Sequence, residues 1–306
     1  MKNNNIIRTE AQEYRIGIIA ALSCAVLWGF LPIYWQALRP IDSFVIIYYR
    51  IFLVALVCFL IALKLYGLKG IIEPLKDKRI VLRYFTAGIV ITLNWSLYIW
   101  AVNADFVIHT AIGYYIEPLF VCVFGILLFK EKLTGYKKIA ILMALIGLIV
   151  LLIHFRQLPF IAMGIAMTFA TYAAIKKGNR FDAVLSLLYE TMFLAPPALI
   201  VVIVLECQGK GAFHLAAPYQ LVMLFLIGMM TAVPLGLFAM GANRLPLVTL
   251  GIIEYISPSI TLIIGIFMFK EPFDLGQFLA FCIIWIGLVF FTIGEMKEAR
   301  QLKDDK

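Results

Sequence analysis

Three ionisable side chains lie deep inside long apolar segments of this sequence. They are Arg50, Glu117 and Glu254, each about seven to ten residues from the nearest polar loop. A charged group in hydrocarbon is costly, so such residues are candidates for function: the arginine to bind an anionic group, and the glutamates to hold a proton. The alternatives are structural, with hydrogen bonds to a neighbouring helix or extension towards the headgroups. Glu190, near the end of its segment, is assigned a structural role.

Polar residues at helical spacing connect the two central glutamates to the membrane surfaces. His109 and Tyr114 precede Glu117 by eight and three residues, which places all three on one helix face. Thr261 follows Glu254 by seven residues and therefore lies on the same helix face, two turns further towards the outer surface. We therefore expect one acid to be reached from each side of the membrane.

Aromatic and amide side chains form a second group of candidates. Asn94 and Tyr98 share a helix face, and Trp95 lies beside them. An aromatic wall with one amide suits a moderately hydrophobic organic solute, although packing between helices is the alternative for Asn94. Trp35 and Trp100 lie near the ends of their segments and fit an interfacial aromatic belt. The predicted solute contacts are Trp28, Asn94, Trp95, Tyr98, Tyr114 and Tyr255, with Thr231 and Pro234 as weaker candidates.

The sequence contains no arrangement typical of catalysis or metal binding. No aspartate lies within an apolar segment, and neither H-E-x-x-H nor G-x-x-x-x-G-K-[ST] occurs. The three histidines lack ligand spacing, and the five cysteines form no C-x-x-C. We therefore expect no catalytic residues, no metal and no other cofactor.

The composition defines the kind of molecule that must position these residues. Hydrophobic residues make up 63% of the 306 residues and charged residues 14%, and the mean hydropathy is +0.98. A soluble domain is nearer about one-half apolar and about one-quarter charged, and no soluble fold has enough interior for this much apolar surface. A soluble enzyme, a secreted disulfide scaffold and a disordered chain are excluded. The composition predicts an all-α polytopic membrane protein.

Ten segments are long enough to cross the hydrocarbon, which takes about 20 helical residues. They are numbered spans 1 to 10 in chain order: 16–38, 43–65, 84–103, 107–129, 137–155, 158–175, 184–205, 220–242, 248–269 and 276–294. Residues 1–15 and 295–306 are the tails, and the first span is expected to be retained because no cleavage site for a signal peptide precedes its aromatic end.

The lysines and arginines predict the orientation of these spans. With both termini inside, 21 of the 26 basic residues lie on the inner side and four on the outer side, and Arg50 lies within a span. Basic residues are retained on the cytoplasmic side, so both termini are predicted to be cytoplasmic in an inner, plasma membrane. This placement also explains the net charge of +8 without a nucleic-acid partner.

The chain matches itself when it is shifted by 140 residues. Twelve of the 34 positions in 115–148 are identical after the shift, and they include Pro118 with Pro258 and Phe-Lys-Glu at 129–131 with the same triplet at 269–271. We predict two five-helix repeats, 16–155 and 158–294. An odd number of helices inverts the second repeat, a common build of secondary transporters whose substrates bind near the midplane. The matched prolines are predicted to kink spans 4 and 9.

Several stretches of the sequence resemble a known family. They are LWGFLPIYW at 27–35, YYRI at 48–51, LNWSLYIWAVN at 93–103, GYYIEPL at 113–119, TAVPLGLFAMGANRLPL at 231–247, GIIEYISP at 251–258 and FKEPF at 269–273. They are similar to the RarD-type permeases of the EamA family, in the drug/metabolite transporter superfamily, over nearly the whole chain. The resemblance implies a ten-helix inner-membrane permease with two inverted repeats, and it implies no particular substrate.

The chain departs from the pattern of that family at two of the candidate residues. The resemblance suggests an amide where Glu117 and Glu254 stand, so the coupling of transport is expected to differ from that of relatives.

We predict a secondary transporter of small organic metabolites or drugs with a cavity lined by spans 3, 4, 8 and 9, coupled to protons or working as an exchanger. The expected partners are a small-molecule substrate and the lipid bilayer, and the chain is expected to be a monomer or a homodimer. The alternatives are an intramembrane enzyme and a membrane sensor or scaffold.

Overall fold

The computed structural model describes residues 10–103, 107–155, 160–178, 181–270 and 274–304, which are helical and contain no strand. A short 3₁₀ segment, Glu73–Lys76, follows the second helix. The helices are α1 (Glu10–Ala37), α2 (Ser43–Ile72), α3 (Lys78–Asn103), α4 (Val107–Phe129), α5 (Gly135–Phe155), α6 (Phe160–Lys176), α7 (Ala183–Thr191), α8 (Ala195–Cys207), α9 (Ala212–Leu215), α10 (Pro218–Arg244), α11 (Leu247–Glu254), α12 (Ile256–Phe267) and α13 (Leu275–Asp304).

The predicted class, an all-α polytopic membrane protein, is confirmed. Nine stretches of the described residues are long and apolar enough to cross a membrane, and α6 is a shorter apolar helix of 17 residues. Spans 1 to 6 correspond to α1 to α6, span 8 to α10, and span 10 to α13. The total of ten crossings stays a prediction.

Span 7 is not the single helix that the sequence predicts over 184–205. It consists of α7, which ends at Thr191, and α8, which begins at Ala195. Pro196 and Pro197 at the start of α8 have no N–H group, so the carbonyls four residues earlier lose their helical hydrogen bonds and the helix is interrupted. Asp182 caps α7, since its Oδ1 accepts hydrogen bonds from the backbone N–H groups of the next turn.

The two matched prolines have different effects on their helices. Pro118 lies inside the continuous helix α4. Span 9, in contrast, is divided at Tyr255 into α11 and α12, and Pro258 lies in the first turn of α12. Because Pro258 has no N–H, the carbonyl of Glu254 cannot receive its usual helical hydrogen bond. The break therefore occurs beside one of the candidate acids.

Helices α5 and α13 pack against each other in opposite directions along their whole length. A Cβ added to Gly147 would lie 2.9 Å from the carbonyl oxygen of Ala280, and one added to Gly287 would lie 3.1 Å from that of Ala140. These two contacts are equivalent under the shift of 140 residues. At one end of the pair His154 Nε2 lies 2.9 Å from Asp274 Oδ2, and the backbone N–H of the first turn of α13 lowers the pKa of Asp274.

The remaining contacts between helices follow the same pattern of equivalent pairs. The pair α4–α6 corresponds to α12–α1, and the pair α3–α6 corresponds to α10–α1. The pair α3–α7 corresponds to α10–α2. Helix α4 also crosses α11. The largest buried cluster is formed mainly by residues of α1, α2, α3, α4, α6, α7, α10 and α11.

Two lysines end equivalent helices with the same unusual backbone conformation. Lys130 after α4 and Lys270 after α12 have φ angles of 52° and 59°, and they are the non-glycine residues with positive φ among the described positions. A residue in this left-handed region terminates a helix. The repeated Phe-Lys-Glu triplets thus mark the ends of equivalent helices.

Candidate functional site

Arg50 lies between two tryptophan rings inside the helix bundle. Its Cζ is 3.9 Å from the ring centroid of Trp95 on α3 and 5.4 Å from that of Trp35 on α1. Its Nε donates a hydrogen bond of 3.0 Å to Thr231 Oγ1 on α10. Within the described part of the chain no carboxylate forms an ion pair with Arg50. A guanidinium between aromatic faces is stabilised by about 2 kcal/mol when it is desolvated, and it keeps N–H donors for an anion.

The side chains around Arg50 are partly exposed. Arg50, Trp95 and Tyr98 are half-buried, and Tyr114 on α4 is 42% exposed. The rings of Tyr98 and Tyr114 lie 5.7 Å apart. Arg50 on α2 contacts side chains of α1, α3 and α10, so it faces neighbouring helices. Residues of five helices, α1 to α4 and α10, thus form the Arg50 site, and most of them are aromatic.

An aromatic cluster fills the space two helical turns away from this site along α1. The ring centroid of Trp28 lies 5.7 Å from that of Phe169 and 5.5 Å from that of Phe238, and Tyr172 stacks on Phe238 at 6.1 Å. Phe169, Tyr172 and Phe238 are all buried. Trp28 is therefore part of a packed aromatic layer.

The two candidate acids lie together in the interior. Glu117 is 8% exposed and Glu254 is 3% exposed. They lie close enough to interact electrostatically, and both act on the thiol of Cys24 on α1. We expected one acid to be reached from each side, but the structure buries both, because α4 and α11 cross at this level. Thr261 donates a hydrogen bond to the carbonyl of Gly29 and so connects α12 to α1; the side chain of His109 lies outside the described residues.

Two other predicted contacts are used in packing. Asn94 Nδ2 donates to the carbonyl of Ile165 at 2.8 Å and to Thr168 Oγ1 at 3.0 Å, which ties α3 to α6. Tyr255 is 2% exposed, and its hydroxyl donates to the carbonyl of its repeat equivalent Tyr115 at 3.1 Å. Trp95, Tyr98 and Tyr114 are thus the predicted contacts that lie beside Arg50.

The sequence did not predict that Trp35 contacts Arg50, and it gave Thr231 only as a weaker candidate. Trp35 was assigned to the membrane interface, yet its ring faces Arg50. The signal was available, since Trp28 and Trp35 lie seven residues apart and therefore on one face of α1. Thr231 gave no comparable signal, because only the packing of α10 on α2 brings its hydroxyl to the guanidinium.

A buried ion pair lies apart from the Arg50 site. Lys176 Nζ is 2.6 Å from Glu190 Oε1 and donates to Ser186 Oγ at 2.8 Å, while the hydroxyl of Tyr172 donates to Glu190 Oε2 at 3.1 Å. Lys176 was counted as a loop residue, but it is fully buried. Glu190 has the structural contacts expected for it. In the described ranges no group of three or more His, Cys, Asp or Glu side chains could hold a metal ion.

The family comparison identifies the class of protein that has this architecture. The EamA-like transporter family matches the chain twice, at residues 15–153 and 158–293. The chain therefore belongs to the EamA-like transporter family. The two matched ranges coincide closely with the two halves recognised from the sequence repeat.

Full-length relatives and one solved structure agree with this assignment. The chain is 36% identical over 297 residues to "Uncharacterized transporter YojE" of Bacillus subtilis, covering 95% of this chain and 98% of that protein. It is 33% identical to "Protein RarD" of Streptomyces exfoliatus, covering 94% and 92%. A solved structure described as "Crystal structure of protein" superposes with a TM-score of 0.70 at 14% identity, covering 90% of this chain and 97% of that one, and so shares the fold. The chain is a multi-pass membrane permease of the drug/metabolite family.

Proposed function

We propose that this protein is a secondary transporter of small organic metabolites or drugs that carry an anionic group beside an apolar body. The observation that carries this proposal is Arg50, a cation held between Trp35 and Trp95 without a carboxylate partner among the described residues. Arg50 would bind the anionic group, and the rings of Trp95, Tyr98 and Tyr114 would contact the apolar part.

Alternating access is proposed to arise from two inverted five-helix halves, 16–155 and 158–294. The antiparallel packing of α5 on α13 supports this layout, as do the equivalent contacts of Gly147 and Gly287. The cavity is proposed to lie between spans 3, 4, 8 and 9, which are α3, α4, α10 and the divided helix α11–α12. Transporter sites are commonly built at such repeat interfaces from discontinuous helices.

The space around Arg50 is proposed to open towards the outside in the present conformation. Trp35 lies nearer than Trp28 to the outer end of α1 if both termini are cytoplasmic, as the basic residues predict. The buried layer of Trp28, Phe169 and Phe238 then separates Arg50 from the cytoplasm. Transport would require this layer to separate while the outer side closes.

Glu117 and Glu254 are proposed as the coupling groups, with protons or exchange of substrates driving the cycle. Both acids are buried near the cavity, where a charged carboxylate is costly. We propose that the transporter lies in the inner membrane, with tails 1–15 and 295–306 in the cytoplasm, as a monomer or a homodimer.

A thermal-shift screen on the purified protein tests the substrate class. Small organic carboxylates are compared with their methyl esters, which keep the apolar body and lose the charge. A ligand at 100 times its Kd should raise the stability of the native state by about 2.7 kcal/mol. We expect acids but not esters to stabilise the wild type, and the best acid should then be taken up by proteoliposomes. Esters that stabilise as well as acids would contradict the anion site, and acids that bind without uptake would contradict transport.

A further inference from the structure

Two glutamates and a broken helix meet where α4 crosses α11 and α12. Glu117 immediately precedes Pro118, and Glu254 is the last residue of α11. The prolines at 118 and 258 have no N–H, so the carbonyls of Tyr114 and Glu254 lack their usual helical donors. The crossing therefore brings together two carboxyl groups and two helix carbonyls that are poorly supplied with hydrogen-bond donors.

The backbones of α4 and α11 pack closely at the crossing. A Cβ added to Gly251 of α11 would lie 2.7 Å from the carbonyl oxygen of Pro118, so the two backbones touch. Glu254 Oε1 is fully buried and has no hydrogen-bond partner among the described residues. A buried oxygen of this kind costs about 1–3 kcal/mol unless a donor reaches it, and the neighbouring carboxyl of Glu117 is a candidate donor when it is protonated.

Among the described side chains, no lysine or arginine forms an ion pair or hydrogen bond with either acid. The titratable groups described at the crossing are thiols, phenols and the two acids: Cys24 of α1, Tyr114, Glu117 and Cys122 of α4, Glu254 and Tyr255 at the end of α11, and, next to Cys24, Tyr172 of α6. The ion pairs of the described lysines lie elsewhere, for example between Lys176 and Glu190. Two negative charges at this place would repel each other in a medium of low dielectric constant.

We propose that Glu117 and Glu254 form one two-carboxyl site that holds a single proton between them. One carboxyl group donates the proton in a hydrogen bond and the other accepts it, so only one negative charge is buried. The role of the shared proton as the coupling ion rests on the proposed transport function, whereas the shared site itself does not. Tyr114 lies within electrostatic range of both Glu117 and Arg50, so it is the residue that links the carboxyl pair to the proposed anion site.

Labelling with a hydrophobic carbodiimide tests the shared site, because this reagent modifies protonated carboxyl groups in apolar surroundings. Purified full-length protein is labelled over a range of pH, and the modified peptides are identified by mass spectrometry. We expect Glu117 and Glu254 to be labelled in different molecules, with one label per chain. Glu190 is the internal control, since it is equally buried but paired with Lys176 and should stay unlabelled.

The decisive comparison is the pH at which labelling of Glu117 falls to half, measured in the wild type and in Glu254→Gln. Loss of the last proton from the pair leaves two adjacent negative charges, whereas the variant leaves only one. The midpoint should therefore fall by about one pH unit or more in Glu254→Gln, and the midpoint of Glu254 should fall likewise in Glu117→Gln.

Three results would overturn the shared site: unchanged midpoints, two labels in one chain at neutral pH, or no label on either acid. The wild-type result needs no variant, so a variant that fails to fold does not remove the test. Labelling also needs no substrate. If the midpoints shift but no solute is transported, the shared site stands and the proposed transport function is contradicted. If solute is transported but the midpoints do not shift, only the shared proton is contradicted.

Discussion

Arg50 is held in place by side chains of three other helices rather than by its own. Its Cζ lies within 5.4 Å of the ring centroids of Trp35 and Trp95, and its Nε donates a hydrogen bond to Thr231. The planar guanidinium suits stacking between rings and a forked contact with a carboxylate, whereas a lysine ammonium suits neither. Replacing Arg50 by lysine therefore keeps the positive charge and removes the planar geometry.

We expect Arg50→Lys to weaken binding of an organic carboxylate about tenfold, which corresponds to about 1.4 kcal/mol. Arg50→Ala should remove detectable binding. The measurement is the Kd from ligand-dependent thermal shifts of the purified variants. Arg39→Lys is the matched control, because Arg39 is exposed in the α1–α2 turn and should bind as the wild type does. Equal Kd values for Arg50→Lys and the wild type would show that only the charge matters.

At the scale of elements, Glu131 connects the two halves of the molecule. Its Oε1 and Oε2 accept hydrogen bonds of 2.7 and 2.9 Å from the backbone N–H groups of Leu247 and Val248, the first residues of α11. Lys177 adds an ion pair of 3.1 Å to Glu131 and donates to the carbonyl of Leu245 at 2.7 Å. A carboxylate of the first half thus caps a helix of the second half, since Pro246 has no side chain that could do so.

Glu131→Gln should destabilise the protein by about 1–2 kcal/mol. The amide oxygen can accept one of the two N–H groups well, and the attraction to Lys177 and to the helix N-terminus is lost. Thermal melting of the purified protein measures the change, with Glu73→Gln as the control because Glu73 is exposed. A melting temperature of Glu131→Gln equal to that of the control would show that this cap contributes nothing.

The glycines of α5 and α13 test whether the two halves are structurally equivalent. Gly147→Ala and Gly287→Ala should each destabilise the protein by about 1–3 kcal/mol, because each added Cβ would lie near 3 Å from a carbonyl oxygen of the opposite helix. Gly135→Ala is the matched control, since nothing lies within 4 Å of its Cβ position. Thermal melting gives the three values, and a large difference between Gly147→Ala and Gly287→Ala would contradict the equivalence.

For the whole molecule, the distribution of basic residues predicts which face meets the cytoplasm. Lys210 and Lys132 are both exposed and are predicted to lie on opposite faces, outside and inside respectively. Native Cys207 is also exposed, so single cysteines should be placed in a Cys207→Ser background. A membrane-impermeant maleimide added to right-side-out vesicles should label position 210 and should reach position 132 only after permeabilisation. The opposite pattern would invert the topology.

Much of the architecture could be predicted from the sequence, because the bilayer restricts it so strongly. Hydrocarbon requires long apolar helices, and these dominate the hydropathy of the chain. The shift of 140 residues pointed to two halves before any contact was known. The deep positions of Arg50, Glu117 and Glu254 were equally visible, since a charged residue in an apolar segment is conspicuous in one dimension.

Only the tertiary structure decided which of these residues lie together. It turned Trp35 from a membrane anchor into a neighbour of Arg50, and it gave Lys176, counted with the loops, a buried carboxylate partner. It also brought Glu117 and Glu254 together, although 137 positions separate them in the sequence. The physical reason is that hydropathy determines how deep a residue lies along its helix, whereas the rotation and crossing of packed helices determine which side chains meet, and these depend on close contacts such as that of Gly251 with Pro118.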